Sequence, residues 1–167
     1  MTQDEQYLQA ITEFGPALVR LARAYEQDSD RRGDLLQDVY LALWRSFAGF
    51  AGQCSLRTWV YRVAHNTAIS ARLRRRKARL VSLEDLADMP SPDDPEHAVG
   101  HAHVLARLHT LIRCLAPPDD QVMLLYLEDH DAASIAEITG LSAGAVSTRV
   151  HRVKHLLSSR FQQGDGA

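Results

Sequence analysis

Six polar side chains crowd one short stretch near the C-terminus: Ser147, Thr148, Arg149, His151, Arg152 and Lys154. They are hydrogen-bond donors and cations rather than nucleophiles or paired carboxylates. Groups of this kind recognise an acceptor-rich polyanion. Arginine can bridge the O6 and N7 acceptors of guanine, and a hydroxyl can touch either base type. Lysine and arginine also hold phosphates, which fixes position without reading sequence. From Ser142 to Arg160 there are four basic residues and no acid. A second such block runs from Ser55 to Leu80, with eight Lys or Arg and no acid. Between them, Val81 to Ala106 carries six acids and no Lys or Arg. The formal net charge of −2 hides this segregation. A single charge run is ordinarily a solvated helix face, but two blocks that wholly exclude acids point to a polyanionic partner.

Bond-making chemistry finds no matching pattern. There is no phosphate-binding glycine loop, no G-x-S-x-G elbow and no carboxylate set with ligand spacing. Among the eight histidines, His97, His101 and His103 invite a metal reading, but no C-x-x-C or H-E-x-x-H accompanies them. They read as solvent-facing or capping residues. The two cysteines, Cys54 and Cys114, fit free thiols of a reducing cytoplasm better than a bridge. No enzyme activity, metal or cofactor is expected.

The elements that must position the basic residues are helices. In HDAASIAEITGLSAGAVSTRVHRVKHLL, a helix from about Ala132 to Thr139 buries Ile135 and Ile138 and stops at Gly140, which tolerates positive φ. Ser142 then caps a second helix with Val146, Val150, Val153 and Leu157 on one face and the six polar residues opposite. Helix, tight turn and basic-faced helix is a helix-turn-helix pattern, which fits a major groove. A plain helical hairpin with a charged exterior has the same spacing; the absence of acids favours the former. Further stripes at three and four residues occur at Leu35, Leu36, Val39, Leu43 and Phe47, at Leu56, Val60, Val63 and Thr67, and at Leu105, Leu108, Ile112 and Leu115. No period-two strand pattern survives inspection. The expected fold is all-α, with two small helical domains at 1–80 and 102–167 joined by an acidic, Pro-containing flexible linker at 81–101. With 167 residues, 46% hydrophobic and 24% charged, the chain has the profile of a soluble globular protein. No apolar run is long enough to span a bilayer, and the acidic, amphipathic start lacks the features of a signal peptide.

The stretch DLLQDVYLALWRSFAGFAGQCSLRTWVYRVAHNTAISARLRRRK resembles region 2 of bacterial sigma factors, in particular the small extracytoplasmic-function group of the sigma-70 family. The residues that carry the likeness are Asp34, Gln37 and Asp38, then Phe50 and Gly52, then Thr58, Trp59, Tyr61, Arg62, Ala64 and Asn66. The segment IAEITGLSAGAVSTRVHR is similar to region 4 of the same family. Both occur in the family's order and spacing.

The resemblance implies a promoter-specificity subunit of a bacterial RNA polymerase, working in the cytoplasm, with polymerisation left to the partner enzyme. Asp34, Leu35, Gln37 and Asp38 would then bind core polymerase at the β′ clamp helices, with further contact to β. Phe50, Gly52, Gln53, Cys54 and Ser55 of the loop, with Arg57, Tyr61, Arg62 and Asn66 of the following helix, would take the −10 element and help melt it. Capture of an extruded base costs a few kcal/mol, which stacking and cationic contacts must offset. Ser147, Thr148, Arg149, His151, Arg152 and Lys154 would read the −35 element. A cognate anti-sigma factor is a further implied partner, and the acidic linker would suit an electropositive path through the polymerase. A generic acidic linker is the plainer account of that segment.

By spacing, Trp59 belongs to the core with Val60 and Val63, whereas Tyr61 fits either a core or a stacking role. On periodicity alone the Asp34–Asp38 face is a solvated amphipathic surface. The chain departs from the family's usual residues at Ala51, Ala145 and Ser147, all on the presumed reading surfaces. Only FQQGDGA follows Arg160, so an appended regulatory domain is not expected. A freestanding helix-turn-helix repressor or activator is the competing reading; it requires operator affinity without polymerase. A helical adaptor without a DNA role leaves both basic blocks unexplained.

Overall fold

The computed structural model describes residues 1–79 and 100–164, and every regular element among them is helical. The linker expected at 81–101 lies almost wholly outside the described residues. Helix α1 (Gln3–Tyr25) opens on a reciprocal cap, the Glu5 amide donating to Thr2 Oγ1 at 3.2 Å and the Thr2 amide to Glu5 Oε2 at 2.7 Å. Helix α2 (Ser29–Ser46) is capped by Asp28, which accepts from the Arg31 amide at 2.9 Å, and it buries Leu35, Val39 and Leu43 at intervals of four. A 3₁₀ turn (Phe47–Gly49) drops Phe47 into the core. Helix α3 (Leu56–Arg79) follows, with Val60, Tyr61, Ala64, His65 and Ala68 inside. The three helices pack face to face around Leu18, Val39, Leu43 and Val60, all at most 1% exposed. Full burial of side chains of this size contributes about 2 kcal/mol each.

The second group comprises α4 (His101–Arg113), α5 (Asp119–Leu127), α6 (Ala132–Thr139) and α7 (Ala143–Gly164). Asp131 caps α6 by accepting from the Ser134 amide at 2.8 Å, and Gly140 ends it at φ 79. That left-handed geometry is open to glycine at little cost, and it lets the Gly140 amide bond back to Ala136 O at 2.9 Å. Ser142 then accepts from the Ala145 amide at 3.1 Å and starts α7. Helix α5 sits in the middle, with Asp120 through Leu125 all buried, so it has almost no polar face.

The two groups touch through polar contacts. Asp120 of α5, fully buried, pairs with Arg72 of α3, which also donates to the carbonyls of Arg113 and Leu115. Arg113 donates to Ala24 O at 2.9 Å, and Arg20 of α1 forms a two-pronged pair with Glu128 at 2.8 and 2.9 Å.

Deep in the first group, the Tyr25 hydroxyl and His65 Nδ1 share a hydrogen bond of 2.7 Å. Burial, helped by the neighbouring His130, pushes the His65 pKa from 6.5 down to about 3. The unfolded chain therefore binds a proton between those values that the folded chain refuses. Stability should be complete above pH 6.5 and fall as the pH drops toward 3, at up to ~1.4 kcal/mol per pH unit for this one proton. We expect the melting temperature to decline between pH 7 and pH 4, and His65→Gln to flatten that decline. Parallel curves for the two proteins would assign acid sensitivity to other groups.

Candidate functional site

The exposed face of α7 matches its sequence. Ser147, Thr148, His151, Arg152 and Lys154 are exposed, while Val146, Val153 and Leu157 are buried and Val150 is half-buried. Thr148 returns its hydroxyl hydrogen to Gly144 O at 3.0 Å, which leaves its oxygen free to accept. Arg149 is half-buried and leans toward α5, where its Nη1 meets Asp119 Oδ1 at 2.7 Å. Arg152 reaches the same carboxylate, Nη2 lying 3.0 Å from Oδ2. Lys154 Nζ contacts the Tyr126 hydroxyl at 3.1 Å and lies 5.1 Å from the centre of its ring. All six residues thus share one helix, and three of them are tied to α5.

The loop from Phe50 to Ser55 is shaped mostly by its own residues. Gly52 has φ 75, a conformation most side chains avoid. Gln53 braces the turn by accepting from the Ala51 amide at 2.9 Å and donating to Gly49 O at 3.0 Å. Phe50 is half-buried against Trp59, ring centres 5.0 Å apart, and against Phe47 at 5.8 Å. Trp59 donates its indole N–H to Ser46 Oγ at 2.9 Å, as suits a residue packed on the core. Ser55 caps α3, accepting from the Thr58 amide at 3.1 Å. Cys54 is a half-buried free thiol.

On α3, Arg57 and Asn66 are exposed, whereas Tyr61 is only 5% exposed. Its ring is held edge-on by His130 at 4.5 Å and by Phe14 at 6.2 Å. Of its two sequence-level roles, the structure gives it the core one. Thr58 donates to Glu137 Oε2 at 3.1 Å, and Arg62 donates to the Glu137 carbonyl. Helix α6 therefore lies over part of the surface expected to take the −10 element. His130 is buried with neither ring nitrogen bonded among the described residues; burial first, and then the Arg57 charge, hold its pKa below the ordinary histidine value.

The acidic face of α2 needs one correction. Asp34, Gln37 and Asp38 are exposed, but Leu35 is 3% exposed and Val39 1%, so both belong to the core. Leu35 sits a third of a turn away from the outward stripe. The apolar side chain that does continue the stripe is Leu41, 47% exposed, followed by Trp44 at 42%. Spacing of three and four from Asp34 would have found Leu41. Asp34 and Asp38, with Arg31 of the same helix, line a shallow groove between α2 and α3 that Arg74 and Arg75 line from the α3 side. Residues that sequence reading did not single out are Asp119, Asp120, Glu137, His65 and His130. Among the described residues no three or more His, Cys, Asp or Glu side chains are grouped to hold a metal ion, and no helix is long and apolar enough to cross a membrane.

Two helical units, the second closing in a helix-turn-helix, define the structural class. Family profiles agree with it: Sigma-70 region 2 matches residues 10–79 and Sigma-70 region 4 matches residues 105–157. The ECF RNA polymerase sigma factor SigG of Mycobacterium tuberculosis is 30% identical over 150 residues, covering 75% of this chain but only 40% of that protein's length. The RNA polymerase sigma-H factor of Pseudomonas aeruginosa is 26% identical, covering 91% of this chain and 84% of its own. The solved structure of CnrH in complex with the cytosolic domain of CnrY superposes with a TM-score of 0.68 at 23% identity, over 94% of this chain and 88% of that one. The chain belongs to the sigma-70 family, in its extracytoplasmic-function group.

Proposed function

We propose that this chain is a sigma factor that joins core RNA polymerase and directs initiation at promoters carrying a −35 and a −10 element. The observation that carries the reading is the pairing, in one chain, of an exposed acidic stripe on α2 with an acid-free recognition helix on a separate helical unit. Asp34, Gln37 and Asp38, with Leu41 beside them, meet the β′ clamp helices. The α7 residues Ser147, Thr148, Arg149, His151, Arg152 and Lys154 read the −35 element. The Phe50–Ser55 loop with Arg57, Arg62 and Asn66 takes the −10 strand. The polymerase supplies catalysis, the chain works in the bacterial cytoplasm, and a helical unit runs to each side of residues 81–101.

Reading the −10 element with Arg62 requires α6 to leave α3, because the Arg62 guanidinium is occupied by the Glu137 carbonyl and the Glu137 carboxylate also holds Thr58. Binding of polymerase to both units at once offsets the cost of that separation, because the second contact is intramolecular once the first is made. The structural likeness to CnrH, solved in complex with the cytosolic domain of CnrY, supports an anti-sigma partner for this chain. A freestanding repressor is disfavoured by the α2 stripe, which such a protein does not need.

The division of labour is testable with Arg152→Ala. Its side chain is exposed and lies on α7, in the other helical unit from the α2 stripe, so co-elution with core polymerase should be unchanged. Transcription from a cognate promoter should fall about tenfold or more, as one good base contact is worth ~1–3 kcal/mol. Loss of core binding in this variant would contradict the assignment.

A further inference from the structure

Two arginines one turn apart on α7 share a single carboxylate on another helix. Asp119 Oδ1 receives Arg149 Nη1 at 2.7 Å and Arg152 Nη2 at 3.3 Å, while Oδ2 receives Arg152 Nη2 at 3.0 Å. Helix α7 has no acid of its own from Ala143 to Arg160, so this charge comes from outside the helix. Asp119 begins α5, and its successor Asp120 turns the opposite way, to Arg72 of α3. One carboxylate of the pair therefore fixes the packing of the two units, and the other faces the cationic side of α7. Asp119 is not needed to satisfy a buried charge: the Arg149 and Arg152 side chains are 31% and 62% exposed.

We infer that Asp119 is a positioning residue that sets promoter specificity by holding Arg149 and Arg152 in a fixed reading geometry. The inference rests on the reading of α7 as the helix that contacts the −35 element. A guanidinium has five N–H donors in a planar fork. The contact to Asp119 engages one terminal nitrogen of each arginine, so the remaining edge of each fork stays available for a guanine or a phosphate. Unpinned, two neighbouring cations repel each other and sweep many rotamers, and both bind any phosphate within reach. Pinned, they meet DNA in one arrangement, and part of their charge is already offset. Asp119 thus lowers attraction to DNA in general while keeping the contacts that depend on the base.

The test uses holoenzyme, the full chain with bacterial core polymerase, and a duplex library randomised over the −35 element. Wild-type enrichment defines the preferred sequence, and affinities for it and for a scrambled duplex are then measured against salt. Asp119→Ala should cut the preference for the selected over the scrambled sequence about tenfold, equal to ~1.4 kcal/mol. It should also bind the scrambled duplex more tightly, with a salt slope steeper by about one phosphate contact, near 0.9 in log–log units. Asp119→Asn keeps the shape and one acceptor but loses the charge. It should match the alanine variant in scrambled-duplex affinity yet retain part of the preference, which a purely structural role for the carboxylate does not produce. Unchanged preference in Asp119→Ala, or identical behaviour of the two variants in both measurements, would overturn the inference. If Arg149→Ala and Arg152→Ala abolish the preference while Asp119→Ala preserves it, Asp119's role fails and the reading of α7 stands. If no −35 sequence is enriched by wild type, the reading of α7 fails and takes this role with it.

Discussion

Asp38→Arg should abolish co-elution with core RNA polymerase while leaving the melting temperature close to that of wild type. Asp38 is exposed on α2 and lines the groove opposite Arg74 and Arg75. Nothing in the core depends on it, so the fold has little to lose. The partner surface expected there is basic, and the substitution changes an attraction into a repulsion. Like charges across an interface cost several kcal/mol. At 1.4 kcal/mol per tenfold, that weakens association by a hundredfold or more. Asp34→Arg, one turn earlier, should act in the same direction. Substitution of Leu35 tells a different story: its side chain is buried, so Leu35→Ala should destabilise α2 without acting through the polymerase contact itself. Unchanged co-elution of Asp38→Arg would move the polymerase contact to another face.

The second large effect concerns Asp120 and Arg72. The Asp120 carboxylate is out of contact with water, and the Arg72 side chain is only 12% exposed. Removing one partner of a buried ion pair leaves the other charge uncompensated, which typically costs ~3–5 kcal/mol. Asp120→Ala should therefore lower stability by about that amount, even though Arg72 keeps the carbonyls of Arg113 and Leu115 as acceptors. Replacing the pair by packed apolar residues, Arg72→Met with Asp120→Leu, should recover most of the loss, because desolvation of both ions is then avoided. Chemical denaturation of the three proteins measures this. A double variant as unstable as Asp120→Ala would show that the ion pair itself, rather than the isolated charge, holds the units together. Either way, the pair links α3 to α5, so its rupture should also loosen the packing of α6 over Thr58 and Arg62, on the surface proposed to take the −10 element.

The helix-turn-helix was legible in the sequence because its signals are local. Gly140, Ser142 and the run Val146, Val150, Val153, Leu157 lie within eighteen residues, and each acts through a rule that needs no distant partner. Helix α5 was not legible, since burial on all sides removes the polar face that reveals an amphipathic period. The helical nature of α2 and its buried stripe of Leu35, Val39 and Leu43 could be read from spacing, and the same spacing counted from Asp34 places Leu41 on the acidic stripe, so assigning Leu35 to the outer face went against the pattern. Tyr61 was undecidable because its exposure is set by His130, a residue of the other unit. Asp119 and Asp120 find their partners 30 and 48 residues away in sequence. No spacing rule reaches that far. The loop residues Gln53 and Ser55, expected to face DNA, also hold the loop and cap α3, so their substitution disturbs both.

The promoter-directing role is tested most directly by mapping the 5′ ends of transcripts made from host genomic DNA by core RNA polymerase, with and without this chain. Adding the chain should produce a defined set of start sites preceded by a common pair of −35 and −10 sequences. The Asp38→Arg variant should fail to produce them. A chain that is folded, yet leaves the transcripts of core polymerase unchanged, would contradict the assignment and direct attention to a freestanding regulator with its own operator.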